Sequence, residues 1–340
     1  MHAANQGWES RVSELHKFLF DGLPVRGAVV RLTEAWQEIL KRRAANTTSG
    51  AYPLPVQELL GEMTAAGVLM QSNIKFNGAL VFQISGDGPV KLAVTEVQSN
   101  LSVRSTVTIS GEVSTDASLT DMVNVHGKGR CAITLDPKEK HPGQQAYQGV
   151  VPLVNLDGEP VDSLAAILQQ YMRQSEQLDT VLVLAANEQV AAGLMVQRMP
   201  IKGEANLAAG SLNTEDDDQI DQNEEYNRIA HLAASLTRDE LLNLDVETIL
   251  HRLFWEEKLL RFVPEDGEGG PHFACTCNRD RVAGMLRNLG QEEVDSILEE
   301  QGLIEVGCEF CGQQYRFDAV DTAHLFTEPG NDPPASSRMQ

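Results

Sequence analysis

Basic residues are scarce in this sequence. Lysine and arginine number 27 against 49 aspartates and glutamates, a formal net charge of −22 over 340 residues. Nucleic acids and anionic membranes are held through basic faces, so neither is an expected partner. The charge favours a soluble, self-repelling surface instead. Long apolar runs are also missing: no stretch of eighteen apolar residues occurs, so no transmembrane helix is expected. The opening residues, Met1-His2-Ala3-Ala4-Asn5-Gln6-Gly7-Trp8, lack the basic and apolar regions of a secretory leader, which points to the cytoplasm. Familiar catalytic signatures are absent too. There is no Gly-x-Ser-x-Gly elbow and no His-Glu-x-x-His, and Gly86-Asp87-Gly88 lacks the following Gly-Lys-Ser/Thr of a phosphate loop. No catalytic centre is visible beyond the thiols.

Cysteines are few, but they are not scattered. Of five, four stand near the C-terminus as Cys275-Thr276-Cys277 and Cys308-Glu309-Phe310-Cys311. Two close thiol pairs separated by a foldable stretch supply the four soft ligands of a tetrahedral zinc site, one ion per chain. The same pairs are spaced to oxidise. In a long chain without a leader, clustered thiols more often bind metal or do redox work than form permanent disulfides. Four thiolates around a divalent ion leave a net charge of about −2 and electron-rich sulfurs. Cys131, alone in a strand pattern, reads as a small buried apolar residue. His272 lies near Cys275 but competes poorly with four thiolates.

The length calls for two or three domains. Residues 1 to about 24 read as a polar extension running into a short helix, followed by a strand over Val25–Leu32. Trp36, Ile39 and Leu40, then Val56, Leu59, Leu60 and Met63, mark two helices. A β-rich stretch follows: Ala79–Ile84 and Val90–Val97 around a hairpin turn, then Val103–Ile109, Met122–Val125 and Cys131–Leu135. A helix over Asp162–Met172 precedes strands at Thr180–Ala186 and Ala192–Met199. Strands and helices come in blocks, which indicates an α+β fold.

Residues 213–225 carry seven acids and no base, the composition of a solvated, mobile joint. Thr237-Arg238-Asp239-Glu240 is a capping box, and Asp245 caps a second short helix. Leu250, Leu253, Phe254, Trp255 and Phe262 offer more apolar surface than two small helices can hide, so this segment must dock; ordinary interdomain packing is one reading, and a segment that can undock and present that surface is the other. In the cysteine region Asn278 caps a helix closed by Gly290. A second helix ends at Gly302, and Ile304–Val306 with Tyr315–Phe317 form a hairpin around the second cysteine pair. The expected organisation is an α+β core with its extension over 1–212, an acidic and helical metastable linker over 213–266, a four-cysteine module over 267–327 and a disordered tail over 328–340.

The stretch Phe273-Ala274-Cys275-Thr276-Cys277-Asn278-Arg279-Asp280-Arg281-Val282, with Leu289-Gly290, Ile304-Glu305-Val306, Cys308-Glu309-Phe310-Cys311 and Tyr315-Arg316-Phe317-Asp318, resembles the bacterial redox-regulated 33 kDa chaperonin (heat shock protein 33) family. Upstream, Arg26-Gly27, Lys75-Phe76-Asn77-Gly78, Gly86-Asp87-Gly88-Pro89-Val90, Tyr147-Gln148-Gly149-Val150-Val151-Pro152-Leu153, Ser175-Glu176-Gln177-Leu178 and Leu253-Phe254 extend the likeness over roughly residues 14 to 326. Three departures stand out: the N-terminal extension, Asn278 in place of an expected serine, and a long acidic run. None touches the cysteines.

The resemblance implies a cytosolic holdase that is inactive while reduced and zinc-bound. Oxidation would pair Cys275 with Cys277 and Cys308 with Cys311, eject zinc and unfold the module. The linker would then loosen and hold unfolding client proteins without ATP, commonly as a homodimer. Residues 250, 253, 254, 255 and 262 are the candidate client-binding surface. Two other classes stand beside this one: a thiol oxidoreductase using Cys308 and Cys311, and an inert adaptor stapled by zinc.

Overall fold

The helix over residues 54–73 is apolar on nearly every side, which suits a helix covered all round rather than one lying on a surface. The structure, a computed structural model, places it between two sheets, and it describes residues 12–46, 50–139, 146–155, 157–200 and 215–327. In chain order, β1 (Glu14–Phe20), β2 (Val25–Leu32), α1 (Glu34–Ala44) and α2 (Leu54–Asn73) come first. They are followed by β3 (Gly78–Ser85), β4 (Val90–Gln98), β5 (Ser102–Ile109), α3 (Leu119–Val123), β6 (Arg130–Pro137) and β7 (Tyr147–Pro152). Next come α4 (Leu164–Ser175), β8 (Thr180–Ala186) and β9 (Ala191–Arg198). The segment beyond holds α5 (Glu215–Ala234), α6 (Arg238–Asn243), α7 (Val246–Phe254), β10 (Leu259–Arg261) and β11 (His272–Phe273).

Among the described residues one sheet has the order β10-β1-β2-β9-β8, and a second the order β11-β5-β4-β3-β6-β7. All neighbours are antiparallel except β11 against β5. The fold is therefore α+β. Val56, Leu60, Met63, Val68 and Leu69 of α2 are buried between the sheets with Trp36, Leu80, Phe82 and Cys131. Two glycines let the layers approach. A Cβ at Gly67 would lie 3.0 Å from Val97 Cγ2, and a Cβ at Gly27 would collide with the Phe18 ring that crosses the β1–β2 pair. The Arg26-Gly27 motif thus has a packing reason for its glycine.

The chain divides into two compact units, 1–274 and 275–340. The core strands and the segment carrying α5–α7 share the first. No helix among the described residues is long and apolar enough to cross a membrane.

Three expectations need correction. The residues preceding Val25 form β1, not a helix: Phe18 and Phe20 are buried on the same side of the strand, and its two edges pair with β2 and β10. Met122 and Val123 end the helix α3, whose Ser118–Asp121 capping box outweighs their β-branched and apolar character. The acidic run is helical from Glu215 onward. Acids near a helix start complement its positive end, so a composition read as a joint also suits a first turn. The expected tail, residues 328–340, and the first eleven residues lie outside the described residues.

Candidate metal centre

The cysteine unit folds around very little. Ala283, Leu286, Val294, Ile304 and Phe317 are its buried apolar residues, ringed by partly buried Val282, Ile297, Leu298, Val306 and Tyr315. Its elements are α8 (Arg279–Leu289), α9 (Gln291–Gln301), β12 (Ile304–Gly307), β13 (Gln314–Phe317) and α10 (Ala319–Thr327). Asn278 Oδ1 accepts the Arg281 backbone N–H at 2.8 Å, so it fills the N-cap role that a serine would. Gly290 closes α8 with φ of 98°, and Gly302 closes α9 in the left-handed region at 73°. The Arg279 guanidinium lies 4.2 Å over the Phe317 ring, donates to the Arg316 carbonyl and pairs with Asp321 at 2.8 Å.

This frame brings the two cysteine pairs together. The four sulfurs of Cys275, Cys277, Cys308 and Cys311 all lie within 4.8 Å of one another. Cys275 Sγ is 3.7 Å from Cys308 Sγ, and Cys277 Sγ is 3.3 Å from Cys311 Sγ. A tetrahedron with arms of about 2.3 Å has edges of about 3.8 Å, so the set has the size of a metal-thiolate centre. The second pair sits in a tight knuckle: Cys308 N–H donates to the Gln313 carbonyl at 2.9 Å, and Gly312 N–H donates back to the Cys308 carbonyl at 2.8 Å.

The electrostatics fit anionic sulfur that has a cation to share. Burial pushes the Cys308 thiol up, opposed by the backbone N–H groups of Cys311 and Phe310 aimed at its sulfur. Burial also pushes Cys311 up, opposed by the Gln313 N–H, while the neighbouring thiols add to the rise. Amides pointed at sulfur suit a thiolate, yet four crowded thiols resist ionising together without a positive charge among them. The residues present therefore fit a divalent metal ion. Tyr315 Oη donates to Cys277 Sγ at 3.2 Å, and that contact pushes the phenol up to about 12. Sequence reasoning placed Tyr315 only on the hairpin. Its alternation along β13 was the available signal, but the reach to Cys277 is a tertiary fact.

Cys131 and His272 are not among the clustered ligands. Cys131 is fully buried in β6, its thiol pushed up to about 12 by burial alone. His272 lies on β11, with Nδ1 2.9 Å from the Gly270 carbonyl oxygen.

The apolar segment is docked in the first unit. Leu250, Leu253 and Phe254 are buried with Ile249, Leu241 and Ile229 against Phe18, Phe20, Val29, Leu194 and Val196 of the first sheet. Trp255 and Phe262 are 67% and 51% exposed, so these two do not share that shelter. Arg31 of β2 donates to the carbonyls of Leu241, Leu242 and Leu244 at 3.1, 2.7 and 3.2 Å, satisfying the end of α6. In return Arg238 of α6 reaches Glu58 of α2 at 2.6 Å and the Ala186 carbonyl at 2.5 Å. The strand β10 adds to the edge of β1 in the register Phe18–Arg261, Leu19–Leu260 and Phe20–Leu259.

The model of the family described as Hsp33 protein matches residues 13–318, across the two-sheet α+β unit and the four-cysteine unit; the chain belongs to that family, a class of chaperone. It is 42% identical over 315 residues to a 33 kDa chaperonin of Chromobacterium violaceum, covering 92% of this chain and 93% of that protein. It is 40% identical to one of Methylobacillus flagellatus, covering 94% and 97%, and 39% identical to one of Neisseria meningitidis, covering 95% of each. The crystal structure of the 33 kDa chaperonin of Thermotoga maritima, 21% identical, superimposes with a TM-score of 0.67 over 92% of this chain and 97% of that one.

Proposed function

We propose that this chaperone is a redox-regulated, ATP-independent holdase of the cytoplasm, silent while its cysteines are reduced and zinc-loaded. The observation that carries the reading is the four-sulfur cluster set in a unit with so small a buried core. A module of that size relies on a staple, and structural zinc supplies on the order of 10–16 kcal/mol of folding free energy at neutral pH. Zinc, held by Cys275, Cys277, Cys308 and Cys311, would serve as cross-link and neutralising charge. Oxidation joins Cys275 to Cys277 and Cys308 to Cys311, because these loops span one and two residues and other pairings close about thirty. Sulfurs so joined no longer hold a divalent ion, and the module over 267–327 loses its staple.

The segment over 213–266 follows. Val246, Ile249, Leu250, Leu253 and Phe254 of α7 are buried. Their burial contributes about 1.5–3 kcal/mol each. Ordering the nine residues of that helix opposes it at about 1–2 kcal/mol each. The two sums are of similar size, so a modest loss of support shifts the balance toward release. The freed surface, with Trp255 and Phe262 already exposed, binds apolar stretches of unfolding clients or a second copy, giving a homodimer. The acidic surface keeps such complexes dispersed. The thiols act once per activation, as a switch and not as a turning-over enzyme site.

Light scattering of a heat-unfolding client, without nucleotide, is the test. Oxidised protein is expected to suppress aggregation and reduced protein not to. Equal protection by both removes the switch, and protection by neither leaves an inert zinc-stapled adaptor.

A further inference from the structure

We infer that the cavity at the C-terminal end of α2 binds a small carboxylate with a short branched apolar tail, the head on the Arg26 guanidinium and the tail between the two sheets. Every residue involved belongs to the first unit. Arg26 of β2 stands opposite Gln197 in the β2–β9 pair. Its Nε donates to Gln197 Oε1 at 3.0 Å, Nη2 donates to the same oxygen, and Nη1 donates to the Asn73 carbonyl at 3.0 Å. Gln197 Nε2 in turn donates to Thr180 Oγ1 at 2.8 Å, which holds the amide with its oxygen toward Arg26. A guanidinium has five N–H groups, so one remains on each terminal nitrogen. Two neighbouring N–H groups match the two oxygens of a carboxylate.

The charge of Arg26 is unanswered as well. Among the described residues no carboxylate forms an ion pair with it, in a chain that carries acids in excess. Asn73 ends α2, and the negative end of that helix offsets only part of the charge. Glu176, the acid on the cavity wall, is engaged elsewhere: Tyr171 Oη donates to its Oε1 at 2.8 Å and Tyr147 Oη at 3.2 Å. Beyond these polar groups the cavity, about 90 Å³, is walled by Met70, Leu80, Ile133, Met172, Leu178 and Met195. An apolar cavity of about 150 Å³ takes benzene, so this one suits a smaller tail of about four carbons. A few convergent polar groups beside an apolar wall are the general make-up of a small-molecule site. Three stretches that carry the family resemblance, Arg26-Gly27, residues 147–153 and residues 175–178, each place side chains on this wall, and the cysteine switch uses none of them. A ligand here touches both sheets and α2, so it binds the folded core and stabilises it by mass action.

Isovalerate is the probe, added to the reduced full-length protein. Of nine methionines, Met70, Met172 and Met195 line the cavity, so carbon-13 methyl labelling of methionine reports on it directly. Isovalerate is expected to shift those three methyl resonances saturably and to leave Met122 and Met285 in place. Isoamyl alcohol has the same tail without the charge, and acetate has the charge without the tail; each should bind at least about tenfold more weakly. Arg26→Gln should lose about tenfold in affinity for isovalerate and none for the alcohol. Absence of a saturable shift at the three methyls would overturn the site. Equal affinity for isovalerate and the alcohol would remove the role of Arg26, and equal affinity for acetate would remove the tail pocket; either result overturns the inference. Should Arg26→Gln fail to fold, the comparison of the three probes on wild-type protein decides alone.

Discussion

Phe254 of α7 meets Phe20 of β1 edge to face, with ring centroids 5.1 Å apart and planes at 88°. Phe18 completes the group, 6.1 Å from Phe254 and 5.7 Å from Phe20. The three rings join a strand of the core to the helix that the proposed switch must release.

Truncating Phe254 to alanine removes the linker's share of this group, a loss of about 3–5 kcal/mol for a fully buried aromatic. The reduced variant is expected to exchange its amide hydrogens faster over residues 238–254 and to protect clients before any oxidant is added. Trp255→Ala, at a side chain 67% exposed, should leave that exchange pattern unchanged. Hydrogen exchange read by mass spectrometry compares the two.

Replacing any one of Cys275, Cys277, Cys308 or Cys311 by serine should weaken zinc binding sharply, because the shell has no spare thiolate. Cys131→Ser should leave the metal content intact. With its thiol pushed up to about 12, Cys131 should also resist alkylation at about pH 8 while the protein is folded. Metal analysis and mass-mapped alkylation check both statements, and metal content that followed Cys131 would contradict the ligand assignment.

These contrasts show what the sequence could and could not carry. The Thr237 and Asp245 caps and the glycine stops at 290 and 302 are local signals, each decided within a few residues, and each is found as expected. Of the apolar residues expected to dock, Leu250, Leu253 and Phe254 do and Trp255 and Phe262 do not, and the target was not legible because Phe18 and Phe20 lie more than two hundred residues away. Pairing with two neighbours makes a strand of β1, and no local pattern announces both neighbours. For α3 the helical signal lies in Ser118 and Asp121, and the apolar run from Met122 to Val125 masks it with a strand-like pattern. The Tyr315–Cys277 contact spans two arms of the module, so no spacing rule reaches it.

A half-buried carboxyl, Glu62 of α2, gives the first unit a pH dependence of its own. Burial pushes Glu62 up from 4.5 to about 7, against the pull of Arg238 and with a further push from Glu58. The folded state then binds this proton more tightly than the unfolded chain. Its contribution to stability falls as pH rises between 4.5 and about 7 and is level above that, a change on the order of 3 kcal/mol. Glu62→Gln cannot ionise, so relative to wild type it should gain stability between about pH 4.5 and about pH 8. Urea midpoints of both proteins at the two pH values report the difference, and a constant offset would contradict it.

The most direct test follows zinc release and client protection in one sample as hydrogen peroxide is added to the reduced protein. The account predicts that a chromogenic chelator captures one zinc per chain and that suppression of client aggregation rises with the released zinc. Reduction should reverse the protection. Protection that is complete before any zinc leaves, or full zinc release without protection, would contradict it.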